Sequence, residues 1–155
     1  MKRLLLSTIL IGTTFLNSAQ AQTFKIGQRL TPSSTEFKSL GASSSTMVYT
    51  YKYSKPISKT MYDRKVGDIV IGVKSGYIVS TIYYLIPLST DKGLPQSVVK
   101  LFESSLGFSL AYVNGMYGAN IDDKSYSISR TTSEMTFQKD RIMVYTTIKN
   151  SILSR

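Results

Sequence analysis

The sequence contains no cysteine, no histidine and no tryptophan among its 155 residues. Without histidine and cysteine, the chain lacks Ser-His-Asp and Cys-His catalysis and the usual ligand sets of zinc. Without cysteine it has no disulfide, which excludes the small disulfide-rich class of extracellular modules. No glycine-rich loop follows a strand and opens a helix, so the sequence carries no nucleotide-binding fingerprint.

Acidic residues are also scarce, with nine against 19 basic ones. Asp122-Asp123 is the only adjacent acidic pair, and the nearby Gly118, Asn120 and Lys124 are typical of a turn. A calcium loop needs alternating oxygen ligands over about a dozen positions, and this spacing is absent. The sequence therefore predicts no metal site and no cofactor.

The first 21 residues have the pattern of a secretory signal peptide. Lys2-Arg3 precede a mostly apolar run over 4–16, and Ala19-Gln20-Ala21 follows as a small-x-small cleavage site. The run is shorter than the ~20 residues of a spanning helix, and no later stretch is long and apolar enough to cross a bilayer. We expect cleavage after Ala21 and a single exported domain, 22–155, without a transmembrane segment. Export without cysteine fits a bacterial protein, periplasmic or secreted.

The expected mature chain is strongly basic. Removing Lys2 and Arg3 leaves 17 basic and nine acidic residues, a net charge of +8. Such a chain favours anionic partners, and an acidic protein surface is one of them. The charges are scattered, since no basic run in this part exceeds the pair Arg64-Lys65. Export makes nucleic acid an unexpected partner.

The first half of the chain predicts a helix, a strand and a hairpin. Segment 32–41 has a capping box at Ser33 and Glu36 and a glycine at its end, as a short helix would. Segment 47–54 alternates aromatic and polar residues, as a strand does. After a loop at 55–67, the sequence predicts a hairpin of 68–75 with 77–86, turning at Ser75-Gly76.

If the hairpin turn has two residues, the pairing register places Val73 opposite Ile78, Ile71 opposite Ser80 and Ile69 opposite Ile82. These residues form the predicted core face of the hairpin. The reverse face is unusually apolar for a solvent-facing surface, and five of its members form our candidate partner-binding site: Lys74, Tyr77, Val79, Tyr83 and Leu85. The alternative is that another element covers this face and makes it core.

The second half predicts a better helix over 95–106, with an apolar stripe and Gly107 at its end. A short extended piece at 110–113 and a loop to 124 follow. Strands are predicted at 125–131, 134–139 and 141–148. A tight turn at Lys139-Asp140 would pair Phe137 with Ile142 and Met135 with Val144.

Two similar hexamers, EFKSLG at 36–41 and FESSLG at 102–107, mark the predicted helix ends. Each is followed by three predicted strands. The predicted fold class is therefore α+β, an antiparallel sheet with two helices arranged as tandem αβββ units, with sub-repeats 24–86 and 94–149.

This order resembles the β-lactamase-inhibitor-protein architecture and the related small lipoproteins of outer-membrane assembly. In those folds a helical segment precedes an antiparallel sheet, and two copies share one concave sheet. Phe24-Lys25-Ile26-Gly27 resembles the short lead-in of such units. The resemblance covers most of the mature chain, but it rests on element order, and it assigns no functional residue.

One near-motif suggests an enzyme. Ser97-Val98-Val99-Lys100 matches the S-x-x-K of penicillin-interacting serine enzymes, in which a lysine activates a serine one turn away. Lys74-Ser75-Gly76 and Tyr112-Val113-Asn114 imitate two further motifs of that family. Their order is reversed, and the chain is too short for the two-part fold.

We therefore expect a non-enzymatic exported binding protein, an inhibitor, immunity or envelope-associated protein, that recognises a protein through a tyrosine-rich sheet face. One alternative is a small cell-wall or glycan hydrolase that uses carboxylates or Ser97 and Lys100. Another is a binder of anionic glycans or lipid head groups.

Overall fold

The computed structural model describes residues 23–131 and 140–149, and in this part of the chain it has nine strands and one helix. The expected signal peptide and the predicted strand 134–139 lie outside the described residues. The elements are β1 (Phe37–Ser43), β2 (Val48–Tyr53), β3 (Thr60–Met61), β4 (Arg64–Lys74), β5 (Tyr77–Leu85), α1 (Gln96–Leu106), β6 (Ala111–Val113), β7 (Met116–Ile121), β8 (Lys124–Thr131) and β9 (Arg141–Ile148). The fold is mostly antiparallel sheet, so the predicted α+β class with two helices is wrong.

The strands form one antiparallel sheet in the order β1-β2-β4-β5-β9-β8-β7-β6, with β3 paired to β4 beside this path. The strands β1, β2, β4 and β5 form one meander, and β6 to β9 form another. The two meanders meet through the antiparallel pairing of β5 with β9. The predicted αβββ unit is wrong in both halves, because each half contributes four strands to this path and only the second carries a helix.

The first predicted helix, 32–41, is a strand. The backbone N–H of Phe37 donates to the carbonyl of Ser33 at 2.8 Å, so the capping-box segment completes a single turn. The chain then enters β1, where Phe37 pairs with Tyr53 of β2 and packs its ring against that residue and Phe24. Pairing with β2 and packing of these aromatic rings stabilise the strand. A short isolated helix is only marginally stable, so the strand is favoured over the predicted helix.

The helix α1 is confirmed. Its buried residues are Val98, Val99 and Phe102, which form the predicted stripe. Gly107 follows in the left-handed conformation (φ 79°), and its N–H donates to the carbonyl of Glu103 at 2.9 Å. The stripe packs with Ile69, Ile71, Leu85, Ile128 and Ile142 in the core on one face of the sheet.

The segment 108–124 contains more structure than predicted. β6 and β7 form a hairpin that turns at Asn114-Gly115, where the sequence analysis expected a loop. Asp122-Asp123 is the turn between β7 and β8, as predicted. The strand at 141–148 is confirmed, but its Ile142 pairs with Leu85 and Arg130, whereas the predicted partner Phe137 lies outside the described residues.

Two arginine–aspartate pairs tie the linker before α1 to the sheet. Arg64 makes two hydrogen bonds to the carboxylate of Asp91, at 2.8 and 2.9 Å, and both side chains are buried. Arg130 pairs in the same way with Asp140 at 2.6 and 2.7 Å and also donates to the carbonyl of Asp91. Both meanders are therefore fastened to the linker. Within the described ranges, the single helix is too short to cross a membrane.

Candidate functional site

The five residues of the predicted partner-binding face do not lie together. Tyr83 and Leu85 belong to the core, with 6% and 0% of their surfaces exposed. Val79 is buried on the other face of the sheet, where it lines a groove. Lys74 and Tyr77 are cross-strand partners at the turn of the β4–β5 hairpin, and Tyr77 is half exposed.

A β-bulge at Val79 explains this distribution. The turn and the first pair beyond it follow the predicted register, but Ile71 then pairs with Thr81 and not with Ser80. One extra residue on β5 moves every later side chain of that strand to the opposite face. Tyr83 therefore points into the core. The signal was present in the sequence, since the strict register left an implausibly apolar outer face.

Lys59 lies against the Tyr83 ring. Its Nζ is 5.0 Å from the ring centroid and donates to Oγ1 of Thr23 at 2.9 Å. Burial lowers the pKa of Lys59 and raises the pKa of the Tyr83 hydroxyl. The groups near Lys59 are hydroxyls and aromatic rings. We interpret this contact as packing of the loop 54–59 against the sheet.

The face of the sheet that points away from α1 carries a groove, and we call this surface the open face. The groove has a volume of about 460 Å³ and is lined mainly from β2, β4, β5 and β9. Its apolar lining residues are Val48, Val70, Val79, Ile82, Met143 and Ile148. Two of them, Val70 and Val79, are buried and yet lie outside the core cluster, so they form the floor of the groove.

The rest of the groove lining is polar without charge. Thr50, Ser80, Tyr145 and Thr147 contribute hydroxyl groups, and among the described residues that line the groove none is acidic or basic. A surface of this kind suits an uncharged, largely apolar ligand that also offers a few hydrogen-bonding groups.

Gly72 gives the groove its depth. A Cβ at this position would collide with Oγ of Ser80 and would lie 2.8 Å from Cγ1 of Val48. The neighbouring side chains therefore approach the backbone closely here, which only glycine permits.

A second cavity on the open face is cationic. It has a volume of about 550 Å³ and is lined by Lys38, Lys52, Lys55 and Asp68 among others. Lys52 pairs with Asp68 at 2.7 Å. Three lysines against one aspartate leave a charge balance of +2 in this cavity, which we call the lysine cleft.

The groove and the lysine cleft adjoin each other. Lys38 on β1 pairs with Lys52 on β2, which pairs with Val70 on β4, which pairs with Ile82 on β5. These four side chains form one row across the sheet, and Tyr145 continues it on β9. Neighbouring strands lie about 5 Å apart, so the row passes from cationic to apolar within a few ångströms.

The residues of the hydrolase hypothesis lie elsewhere. Ser97 and Lys100 are both exposed on the outer side of α1, opposite its buried stripe. Asp91 is engaged with Arg64, whose hydrogen bonds hold the pKa of that carboxyl below its usual range. In the described ranges, no group of three or more histidine, cysteine, aspartate or glutamate residues is placed to hold a metal ion.

Comparison with known proteins gives no match to a family model, to a curated protein or to a solved structure. The resemblance to the inhibitor-protein architecture therefore stays a prediction. Of the five predicted site residues, Val79 alone lines the groove, and the sequence predicted neither the groove nor the lysine cleft. The alternation in 47–54 placed Val48, Thr50 and Lys52 on one face, and this was the available signal.

Proposed function

We propose that the protein is an exported, non-enzymatic binding protein that holds its ligand on the open face of the sheet. The observation that carries this proposal is the groove, which has the buried Val70 and Val79 at its floor and no charged side chain among the described residues that line it. Sheets normally bury an apolar face against another layer, so an apolar groove on the face that no helix of the described residues covers favours a ligand.

The ligand has an uncharged and largely apolar body. Val70, Ile82 and Met143 offer dispersion contacts and bury apolar surface, while Ser80 and Thr147 offer hydrogen bonds. A volume of about 460 Å³ lies within the range of small-molecule sites. Export, which rests on the signal-peptide pattern, would place such a protein where it meets envelope components.

A fluorescence titration with Nile red, a neutral apolar dye, tests the proposal on the purified exported protein. We expect saturable binding to the wild type and a loss of at least tenfold in affinity for Ile82→Lys, because a charge would replace an apolar wall. Leu101→Lys is the matched control, since Leu101 is a partly exposed apolar residue on α1. Equal binding by all three proteins, each folded by circular dichroism, would refute the proposal.

Recognition of a protein partner remains a second candidate function, on a surface that shares only Tyr77 with the predicted one. Met47, Tyr49 and Tyr77 are 66%, 52% and 50% exposed, and pairing of β2 with β4 brings them to one end of the sheet. Exposed tyrosines are favoured contact residues. A stoichiometric partner that is lost with Tyr77→Ala and retained with Ile82→Lys would support this function, and the reverse pattern would exclude this surface.

A further inference from the structure

We infer that the ligand of the open face is an anionic amphiphile of lipid type, whose charged head group lies in the lysine cleft while its apolar body lies in the groove. This inference rests on the proposed function and adds the chemistry of the ligand. It is carried by the adjacency of two cavities of opposite character on one surface of the sheet.

Register fixes that adjacency. Lys52, which lines the lysine cleft, is the direct cross-strand partner of Val70, which lines the groove. Thr50 of the groove lies two positions before Lys52 on β2, on the same face and about 7 Å away along the strand. A single ligand on this face therefore reaches both cavities without passing around an edge of the sheet.

Charge defines the head group. Asp68 already offsets Lys52, at 2.7 Å, but the cleft retains two further lysines. Within residues 23–131 and 140–149, Lys38 and Lys55 take part in no ion pair. An anion in the cleft would pair with both, whereas a cationic or neutral head group would gain nothing from them.

The groove defines the body of the ligand. A free anion would use the lysine cleft alone, and a flat protein surface would make little contact with a recessed floor formed by Val70 and Val79. A flexible alkyl chain fits an apolar groove of this volume, and each buried methylene contributes about 0.8 kcal/mol in general. These observations favour a lipid-like molecule taken up singly.

Three probes with the same dodecyl chain test the inference below their micelle-forming concentrations: dodecyl phosphate, dodecylphosphocholine and dodecyltrimethylammonium. We expect dodecyl phosphate to bind the purified exported protein at least about tenfold more tightly than the other two. The preference should weaken as sodium chloride is raised, because salt screens partly exposed charges.

The double variant Lys38→Gln/Lys55→Gln should reduce this preference to about threefold or less and leave the affinity for dodecylphosphocholine unchanged. Lys65→Gln/Lys100→Gln is the matched control, since both of these lysines are exposed and neither lines the cleft. Inorganic phosphate is the fourth probe, and we expect it to bind at least about a hundredfold more weakly than dodecyl phosphate, since it lacks the chain.

The outcomes separate the inference from the function beneath it. Equal binding of the three dodecyl probes overturns the anionic head group, and a preference that survives removal of both lysines overturns the lysine cleft as its site. Either result leaves the groove proposal standing. Inorganic phosphate binding as tightly as dodecyl phosphate overturns the amphiphile. Failure of every dodecyl probe to bind overturns both the inference and the proposed function.

Discussion

The hydroxyl of Tyr83 closes a reciprocal pair with the backbone of Phe24. It accepts from the Phe24 N–H at 3.1 Å and lies 3.2 Å from the Phe24 carbonyl, to which it donates. The Phe24 ring in turn contacts Phe37 and Tyr53 edge-on, with centroids 5.7 and 5.4 Å away. One tyrosine thus anchors the segment before β1 to the centre of the sheet.

Replacing Tyr83 should therefore damage the fold and not a recognition surface. We expect Tyr83→Ala to reduce the free energy of unfolding by about 3 kcal/mol or more, because it empties a fully packed site. Tyr83→Phe should cost about 1 kcal/mol, since it removes the hydroxyl alone. Urea unfolding measures both changes. Tyr77→Ala is the control and should change stability by less than about 0.5 kcal/mol, and a larger loss there than at Tyr83 would contradict the assignment.

Asp91, the one acidic residue of the linker between β5 and α1, should be sensitive to substitution. Asp91→Asn leaves the buried Arg64 guanidinium with a neutral partner, and breaking a buried pair in this way generally costs about 3 kcal/mol. Thermal and urea unfolding at pH 7 measure the loss. Asp63→Asn is the control, because Asp63 is exposed and asparagine tolerates its left-handed backbone (φ 58°). Equal stability of the two variants would show that the Arg64 pair contributes nothing.

Stability should also fall in acid through the same carboxylates. Hydrogen bonds from Arg64 lower the pKa of Asp91, and hydrogen bonds from Arg130 lower the pKa of Asp140. When the pKa of a carboxyl is lower in the folded state, the unfolded chain binds a proton first as the pH falls. These two carboxylates therefore contribute their full stabilisation above the pKa of an unfolded aspartate, about 3.9. It is lost as the pH falls through the lower folded-state values.

Unfolding temperatures recorded between pH 7 and pH 2 measure this dependence. We expect the wild-type curve to be flat from pH 7 to about 5 and to descend below about 4. Asp91→Asn should start lower and descend less steeply, since one of the titrating groups is gone. Parallel curves for the variant and the wild type would assign the acid transition to other groups.

Gly72 should resist substitution because of its neighbours and not because of its own backbone angles. Gly72→Ala places a methyl group against Ser80 and 2.8 Å from Val48, and overpacking of this kind costs about 1–3 kcal/mol. Adding Ser80→Ala should recover part of the loss in a double-mutant cycle, because it removes the colliding oxygen. Gly67→Ala is the control, since its methyl would meet the flexible Ile86 side chain at 3.2 Å. Strict additivity of the two substitutions would argue against the collision.

Local patterns predicted local structure well. Alternation identified the strand around Thr50, the spacing of Val98 and Phe102 identified α1, and Ser75-Gly76 located a hairpin turn. These signals depend only on neighbours in the chain, and tertiary packing agrees with them.

Features that depend on contacts between distant parts of the chain could not be predicted from local sequence patterns. The capping box at Ser33 is typical of a helix start. The residues of β1 that follow form a strand because they pair with β2. The bulge at Val79 depends on which side chains pack in the core, and this packing is not visible in the local sequence. Because the bulge turns Tyr83 into the core, Tyr83 does not lie on the predicted binding face. The groove arises from β5 meeting β9, which no local pattern encodes.

The central position of β9 constrains how the molecule is made. Its neighbours are β5, from the first meander, and β8, from the second. Until β9 arrives, the long apolar strand β5 presents an unpaired edge in the middle of the future sheet, a template for aggregation. Because the chain is synthesised amino end first, its first half must stay unassociated until the second half has followed, and the yield of folded protein depends on that interval.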